Sequence, residues 1–260
     1  MLDYSNIVVL ILSTKDSEYD VFRKAIETTW LQDFKNVGIK CFFYEGSSDV
    51  NKIDGDYIKL KCPDDLYNVS RKLIEALKIV FEKYPEVKLV YRTNLSSYID
   101  VEIFLKFIQF NKFTEDTYAG VIGNSYILKE LLYKYKLLYY ISRFIIFGKR
   151  VQFASGAGFF LGANHCRTII FSKNNLNLVD DIMVANTINV SPLITAIPER
   201  LSVSLESRHY FQKKEFLNLV YEKYLFHYRF KTKNRNEDAF LLKMFGEKKF
   251  RESFFICQND

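Results

Sequence analysis

The chain has 260 residues, enough to bury a substantial core as one large domain or two small ones. Apolar residues make up 48% and charged residues 26%, as in ordinary globular proteins, and no run of 18 apolar residues predicts a membrane-spanning helix. The net charge is +6, and the basic excess is concentrated between residues 207 and 251, which favours an anionic partner such as nucleotide phosphates, nucleic acid or lipid headgroups.

The cysteines and the first residues bear on the compartment. None of the four cysteines has C-x-x-C spacing, which argues against a zinc ribbon and gives no reason to expect disulfides. The opening segment has an acidic residue at position 3 and no basic region, so its apolar part predicts a buried strand rather than a signal peptide. We therefore expect a reducing, cytoplasmic compartment.

Strands and helices alternate through the first 120 residues. In chain order, the hydrophobic periodicity predicts a strand at 6–12, a helix within 18–32, strands at 38–46 and 55–62, a helix at 64–85 capped by Asp65, a strand at 87–92 and a helix at 98–110. Such alternation is typical of an α/β domain. We therefore predict a single doubly wound, mostly parallel, Rossmann-like sheet flanked by helices.

The second half of the chain predicts fewer elements. They are strands around glycine-rich bends at 118–123 and 150–162, a helix capped by Asp180 at 180–189, a late strand at 227–230 and a last helix at 236–245. No repeat, low-complexity tract or Pro/Gly linker interrupts the sequence. We therefore predict that residues 1–206 form the main domain and that residues 207–260 form a basic extension packed on it.

Several common site motifs are absent or weak. The sequence lacks G-x-x-x-x-G-K-[ST], which excludes a P-loop. The glycines of GAGFFLG lie far from the first strand–helix turn, which argues against a dinucleotide fingerprint. The three histidines lack metal-ligand spacing, so a dedicated zinc site is not expected.

Polar side chains follow the ends of several predicted strands. Because strand ends in a doubly wound sheet converge on one crevice, we expect these side chains to line a ligand site. Alternation places the three basic residues of the late strand on one face, a suitable arrangement for a diphosphate. The candidate residues are Thr14, Lys15, Arg23, Arg92, Thr93, Asn94, Ser96, Ser97, Gly156, Ala157, Gly158, Asp180, Asp181, His227, Arg229 and Lys231.

Each group also has a purely structural interpretation. Arg23 is compatible with a solvated helix surface, and residues 93–97 are compatible with a helix cap. Asp180 and Asp181 are compatible with a helix cap that also stabilises the helix dipole, and the basic strand is compatible with an exposed edge of a sheet. Taken singly, the structural interpretations are favoured, whereas the order of the groups along the chain favours a site.

That order resembles the fringe and β1,3-galactosyltransferase-like group of glycosyltransferases, which have the GT-A fold. The resemblance spans roughly residues 6–192 and rests on four blocks in order along the chain. The blocks are RKAIETTW at 23–30, DLYNVSRK at 65–72, SGAGFFLG at 155–162 and DDIMV at 180–184.

The chain departs from the family at the end of one strand. The family has an aspartate triplet there, which holds a divalent metal against the donor diphosphate, whereas this chain has YRTNLSS at 91–97. Asparagine and serine are poor ligands for such an ion. The resemblance therefore implies either an inactive relative or an enzyme whose own cations neutralise the leaving group. We favour the second, with no metal or cofactor, and Mn²⁺ as the less favoured option.

The resemblance implies transfer of a sugar from a nucleotide-diphosphate donor, first of all a UDP-sugar, to a glycan hydroxyl with inversion. Asp181 keeps the position of the family's general base. The candidates from Thr14 to Ser97 and the basic strand are assigned to the donor. Residues 156–158 and Asp180 are assigned to the pocket for the sugar and the acceptor.

The acceptor is less defined. Aromatic and basic stretches at 126–150 and 210–230 suit an inner membrane surface and hence a lipid-linked glycan, although core helices with exposed lysines are the favoured explanation of either stretch alone. The main rival is a catalytically inactive scaffold that binds a nucleotide sugar or glycan. Nucleic-acid binding is disfavoured, because no nucleic-acid motif is present.

Overall fold

A seven-stranded sheet runs through the computed structural model of this chain, which describes residues 3–132, 148–173, 176–192, 201–203, 226–230 and 234–247. Elements are numbered within these ranges. The strands are β1 (Ile7–Leu12), β2 (Lys40–Glu45), β3 (Lys52–Asp54), β4 (Tyr57–Lys59), β5 (Leu89–Asn94), β6 (Ser97–Ile99), β7 (Tyr118–Tyr126), β8 (Arg150–Gly162), β9 (Leu201–Val203) and β10 (His227–Phe230). The helices are α1 (Asp20–Glu27), α2 (Trp30–Asn36), α3 (Val69–Lys83), α4 (Val101–Asn111), α5 (Ile127–Leu131), α6 (Ala163–Phe171), α7 (Asp180–Ile188) and α8 (Arg235–Gly246).

The main sheet has the strand order β3-β4-β2-β1-β5-β8-β7. β1 pairs in parallel with β2 and β5, and β2 pairs in parallel with β4. The strands β3 and β8 run antiparallel to their neighbours. Five of the seven strands therefore point the same way, which confirms the predicted mostly parallel α/β sheet.

The sheet buries both of its faces. In β1, Ile7, Val9 and Ile11 belong to a cluster that includes side chains of α1, α2 and α4, whereas Val8 and Leu10 belong to a cluster with α3 and α7. All five side chains are fully buried. A strand that is apolar on both faces is expected where helices cover both sides of a parallel sheet.

A second, three-stranded sheet corrects the prediction of a single sheet. β6 pairs antiparallel with β10, and β10 pairs in parallel with β9. Residues 97–99 therefore form a strand before α4, and the predicted late strand pairs with it instead of extending the main sheet. The last helix, α8, packs against α1. The boundary at residue 206 stays a prediction, because much of 207–260 lies outside the described residues.

The helix predicted within 18–32 is in fact two helices, α1 and α2. Thr28 and Thr29 separate them, and Thr29 has a φ of −128° and a ψ of −118°. The hydroxyl of Thr28 donates to the carbonyl of Lys24 at 2.8 Å, and that of Thr29 donates to the carbonyl of Ala25 at 2.6 Å. Such bonds from β-branched residues to preceding carbonyls compete with helix continuation.

One predicted helix cap is confirmed by the structure, and another is not. Asp65 accepts the N–H of Asn68 at 2.9 Å, so it caps the short 3₁₀ turn that leads into α3, as predicted. The cap of α4 is Asp100, which accepts the N–H of Ile103 at 3.2 Å. The interpretation of residues 93–97 as a helix cap is therefore wrong.

Two further expectations are corrected in the second half. Asp180 is the first residue of α7, and Val179 is its N-cap residue, so the prediction of Asp180 as a cap is wrong. The glycine segment 156–158 lies inside the 13-residue strand β8 rather than in a bend between strands. The pairing of β8 with β7 is irregular around this segment. Within the described ranges, no helix is long and apolar enough to cross a membrane.

Candidate active site

The candidate site lies at the carboxyl ends of β1 and β5. β1 lies between β2 and β5, so the order of the parallel strands reverses there. Such a reversal leaves a crevice outside the carboxyl ends of the two strands. Because β8 runs antiparallel to β5 and Gly158 pairs with Thr93, the glycine segment lies at the same edge. The fold thus brings together groups that are distant in sequence.

Arg92 is the centre of a buried polar cluster. Its side chain is 2% exposed, and its guanidinium forms an ion pair with Asp180 at 2.5 Å between Nη2 and Oδ2. It also donates to the Tyr44 hydroxyl at 3.1 Å and to the Gly156 carbonyl. Burial alone would lower the pKa of Arg92, but Asp180 and Tyr44 raise it above its ordinary value, so the group stays charged.

The cluster changes the role that the sequence suggested for Arg92. All three of its nitrogens have partners, and it offers almost no exposed surface. Its assignment to direct donor contact therefore finds no support in this geometry. Arg92 holds β5, β8 and α7 together at the edge of the crevice.

Asp181 lies on the first turn of α7, beside the residue that pairs with Arg92. Its Oδ2 accepts the N–H of Gly156 at 2.8 Å, and its Oδ1 accepts the N–H of Ile182 at 2.9 Å. Burial, with the neighbouring Asp180 as a second cause, raises the pKa of Asp181 to about 6, although the Gly156 N–H and Arg92 oppose the shift. A carboxylate that titrates near neutral pH is suited to take a proton from a hydroxyl.

The turn that follows β5 is closed by hydrogen bonds to Asn94. Its Oδ1 accepts the N–H of Ser96 at 3.1 Å, the hydroxyl of Ser96 at 2.9 Å and the hydroxyl of Ser97 at 3.2 Å. Its Nδ2 lies 3.4 Å from the carbonyl oxygen of Gly156. The oxygen of the amide is thus occupied within the turn, and the nitrogen is the end directed at the glycine segment.

Thr93 joins β5 to the same segment from within the sheet. Its hydroxyl donates to the carbonyl of Ala157 at 2.9 Å, and the residue is fully buried. Thr93 and Ala157 therefore stabilise the edge of the site, and their predicted contacts with donor and sugar stay predictions.

His227 supports the turn from the second sheet. Its Nε2 lies 2.8 Å from the Ser97 hydroxyl oxygen, and its Nδ1 lies 2.7 Å from the Tyr91 hydroxyl oxygen. Because the Ser97 hydroxyl donates to Asn94, this network assigns the proton of a neutral ring to Nε2, with Tyr91 donating to Nδ1. His227 is 3% exposed and both of its ring nitrogens have partners, so it fixes the turn, and its predicted contact with the diphosphate stays a prediction.

The structure describes one of the other two basic residues predicted on the late strand. Arg229 is partly buried and opposes Ser97 in the pairing of β10 with β6, which brings it to the same turn. Lys231 lies outside the described residues. Among the described residues of the predicted basic face, Arg229 is therefore the partly buried cation that lies at this turn.

Arg23 shapes the loop that follows β1. Its guanidinium donates to the carbonyl oxygens of Thr14 and Asp16, the second at 3.3 Å, and it pairs with Asp20 on its own helix. The residue is 8% exposed, which contradicts the interpretation of a solvated surface arginine. Arg23 thus fixes the backbone beside the partly buried Thr14, where a nucleotide was predicted to bind.

Asp64, which precedes α3 in the chain, also fixes the loop that follows β1. Asp64 accepts the N–H of Lys15 at 2.6 Å and the N–H of Gly46 at 3.2 Å, and it pairs with Lys72 at 2.8 Å. Burial tends to raise the pKa of Asp64, but Lys72 and the two backbone donors lower it below its ordinary value. The exposed Lys15 side chain donates to the carbonyl of Ser47 at 2.5 Å, which links the ends of β1 and β2.

Two glycines permit the close approach of β8 to these side chains. A Cβ atom on Gly158 would lie 2.3 Å from the Tyr91 hydroxyl oxygen and 2.6 Å from Nδ1 of His227. A Cβ atom on Gly156 would lie 3.1 Å from Oδ2 of Asp181. The backbone of the glycine segment therefore approaches the protein's own polar cluster, which the sequence did not indicate.

Sequence reasoning missed several members of the site. Tyr44 and Glu45 end β2, so the rule that selected the other strand ends would also have selected them. Tyr91 gave no such signal, because its partner His227 is 136 residues away along the chain, and the two backbone partners of Asp64, Lys15 and Gly46, are 49 and 18 residues away from it.

The residues of the turn do not fit the divalent metal that the resemblance implies. Asn94 and the two serines are neutral, and the amide oxygen of Asn94 already accepts three hydrogen bonds. Asp180 is bound to Arg92. Among the described residues, no group of three or more His, Cys, Asp or Glu side chains is arranged to hold a metal ion.

Comparisons with known proteins add little to this geometry. No protein-family model matches the chain, and no curated protein matches it. One similar solved structure is the crystal structure of a glycosyltransferase involved in the glycosylation of the major capsid of PBCV-1. It shares 8% identity with this chain, and the match covers 91% of this chain and 98% of that one with a TM-score of 0.48. A match this distant carries no argument about activity, and membership of the fringe group stays a prediction.

Proposed function

We propose that this protein is a glycosyltransferase that moves a sugar from a nucleotide-diphosphate donor, first of all a UDP-sugar, to a glycan hydroxyl. The observation that supports this most is the Asp181 carboxylate. It lies at the strand-end crevice, its pKa is raised to about 6, and the Gly156 N–H fixes one of its oxygens. Such a group is the general base that a single displacement requires.

The proposed reaction is one displacement with inversion. The acceptor hydroxyl gives its proton to Asp181 while its oxygen attacks the anomeric carbon of the donor sugar. The bond from that carbon to the diphosphate oxygen breaks, and the nucleoside diphosphate leaves with the electron pair. Each Asp181 oxygen accepts one backbone N–H, so it retains a lone pair for the incoming hydroxyl.

The leaving diphosphate is proposed to be stabilised without a metal. The Asn94 amide nitrogen donates one hydrogen to the Gly156 carbonyl at 3.4 Å, and its second hydrogen is proposed as a fixed, neutral donor to the diphosphate. Arg229 lies beside the same turn, and Lys231 follows it in sequence. Donors held in place before the reaction stabilise developing charge without reorganisation. Arg92 acts indirectly, because its ion pair with Asp180 and its bond to the Gly156 carbonyl hold α7 and β8 in place beside Asp181.

The acceptor is proposed to be a glycan, including a lipid-linked glycan at an inner membrane surface. The stretches 126–150 and 210–230 that suggested a membrane contact lie mostly outside the described residues. The proposal for the acceptor therefore rests on the resemblance and on the composition of those stretches.

The test is a panel of UDP-, GDP-, CDP- and ADP-sugars, each offered with simple glycan acceptors and with water alone. We expect release of one nucleoside diphosphate, and NMR of the product is expected to show inversion at the anomeric carbon. Retention would contradict the role of Asp181 as a base. Tight nucleotide binding without turnover of any donor would instead support the inactive scaffold.

A further inference from the structure

Among the buried carboxylates that the structure describes, Glu45 differs from the others in having no ion pair. Among the described residues, three acidic residues are buried, namely Glu45, Asp180 and Asp238. Asp180 pairs with Arg92 at 2.5 Å, and Asp238 pairs with Arg235 at 2.9 Å. Glu45 is 6% exposed, and no ion pair to it is found within the described residues.

The hydrogen bonding of Glu45 is also weak. Its Oε2 accepts the hydroxyl of Ser13 at 3.4 Å, near the limit for such a bond. The cations that act on it most, Arg23 and Lys15, are bonded to the backbone carbonyls of Thr14 and Ser47. Burial accordingly raises the pKa of Glu45 above its ordinary value. A buried carboxylate with so little compensation is unfavourable for folding.

Glu45 lies at the edge of the proposed crevice. It is the last residue of β2, and Ser13 directly follows β1, so both lie where parallel strands end beside the crevice. The backbone around them is fixed, because Asp64 accepts the N–H groups of Lys15 and Gly46. Glu45 is therefore an acceptor-only group on a fixed segment of backbone, at the side of the crevice away from the Asn94 turn.

We propose that Glu45 binds the ribose of the donor nucleotide by accepting hydrogen bonds from its vicinal hydroxyls, an inference that rests on the proposed function. Neutral O–H donors satisfy a carboxylate without the second negative charge that a phosphate would bring. Repulsion between Glu45 and the diphosphate then sets the direction of binding. The nucleoside lies over the ends of β1 and β2, and the diphosphate points towards the Asn94 turn and Asp181.

The experiment measures binding of nucleoside diphosphates by calorimetry. The best ligand among UDP, GDP, CDP and ADP is compared with its 2′,3′-dideoxy analogue, for the wild type, Glu45→Gln and Glu82→Gln. Glu82 is an exposed residue of α3 and serves as the matched control. Glu45→Asp, which keeps the charge but withdraws the carboxylate by one methylene, is the second test variant.

For the wild type we expect the ribonucleotide to bind on the order of 10- to 100-fold more tightly than the dideoxy analogue, the range for hydrogen bonds to a charged group. Both Glu45 variants are expected to bind the two ligands almost equally, whereas Glu82→Gln is expected to retain the wild-type preference. Thermal melting is expected to show Glu45→Gln at least as stable as the wild type, because a buried charge is removed.

The possible failures are distinguishable. Wild-type preference for the ribonucleotide in both Glu45 variants would overturn the ribose assignment and leave the proposed function intact. Equal weakening of both ligands would also overturn it, because the carboxylate would then act on the base or on the loop. If no nucleoside diphosphate binds the wild type, the inference and the proposed function fail together.

Discussion

Replacing Asp181 with asparagine is expected to lower turnover on the order of 10²- to 10⁴-fold and at the same time to stabilise the protein at alkaline pH. The pKa of Asp181 is raised from 3.8 to about 6 in the folded state. The native state therefore binds more protons than the unfolded state between these values, and stability falls as the pH rises through this window. Above pH 6 Asp181 is ionised in the folded state, and the free energy of unfolding is lowered by the full amount that corresponds to its raised pKa.

The size of this effect follows from the shift. About two pKa units correspond to about 3 kcal/mol, which is an upper limit because the side chain is partly accessible to water. Asparagine accepts hydrogen bonds at one oxygen only, so the loss of one of the bonds to the Gly156 and Ile182 N–H groups offsets about 1 kcal/mol. We expect a net gain of about 1–2 kcal/mol at pH 8, or roughly 2–8 °C in Tm, and no gain at pH 4.

Urea unfolding at pH 4 and pH 8 measures this difference directly. The matched control is Asp180→Asn on the same turn, which leaves the buried Arg92 without its carboxylate and is expected to destabilise by about 3–5 kcal/mol at pH 8. Adjacent aspartates thus have effects of opposite sign. A loss of stability in Asp181→Asn at pH 8, or an equal gain at both pH values, would refute the reasoning.

Three further outcomes are expected. The kcat/KM of the wild type should fall tenfold per pH unit below about 6, as Asp181 becomes protonated, and a profile that is flat down to pH 4.5 would exclude it as the base. Gly158→Ala should destabilise by about 1–3 kcal/mol in urea unfolding, because its Cβ would lie 2.3 Å from the Tyr91 hydroxyl oxygen; unchanged stability would show that the backbone of β8 shifts freely. Lys72→Met should lower the free energy of unfolding by about 3–5 kcal/mol, because it leaves Asp64 buried without its cation. The double variant Lys72→Met/Asp64→Asn should recover part of this loss.

The parallel core of the fold was predictable, because its signals are local. The apolar run of β1 and the heptad-like spacing of α3 predict a buried strand and an amphipathic helix without knowledge of their neighbours. The break at Thr28 and Thr29 was not predicted, since apolar spacing continues across it and the hydroxyl bonds that interrupt the helix leave no periodic trace.

The site was predictable in its location but not in its chemistry. Strand ends indicated the crevice correctly, because topology alone brings them together. The partners of each group depend on contacts between distant segments, such as Tyr91 with His227. Basic residues that composition suggested as free cations are consequently buried and engaged, as Arg92 shows. The charge of a residue type predicts which partners it needs, but not whether the protein or a ligand supplies them.

A single set of turnover measurements tests whether transfer is independent of metal and depends on Asp181. Turnover of the preferred donor is followed in EDTA and in Mn²⁺ for the wild type, Asp181→Asn and the control Glu82→Gln. We expect equal wild-type turnover in both conditions, an unaffected control, and a loss on the order of 10²- to 10⁴-fold in Asp181→Asn. Turnover that requires Mn²⁺ would show that a metal neutralises the diphosphate, and turnover that survives in Asp181→Asn would show that Asp181 is not the base.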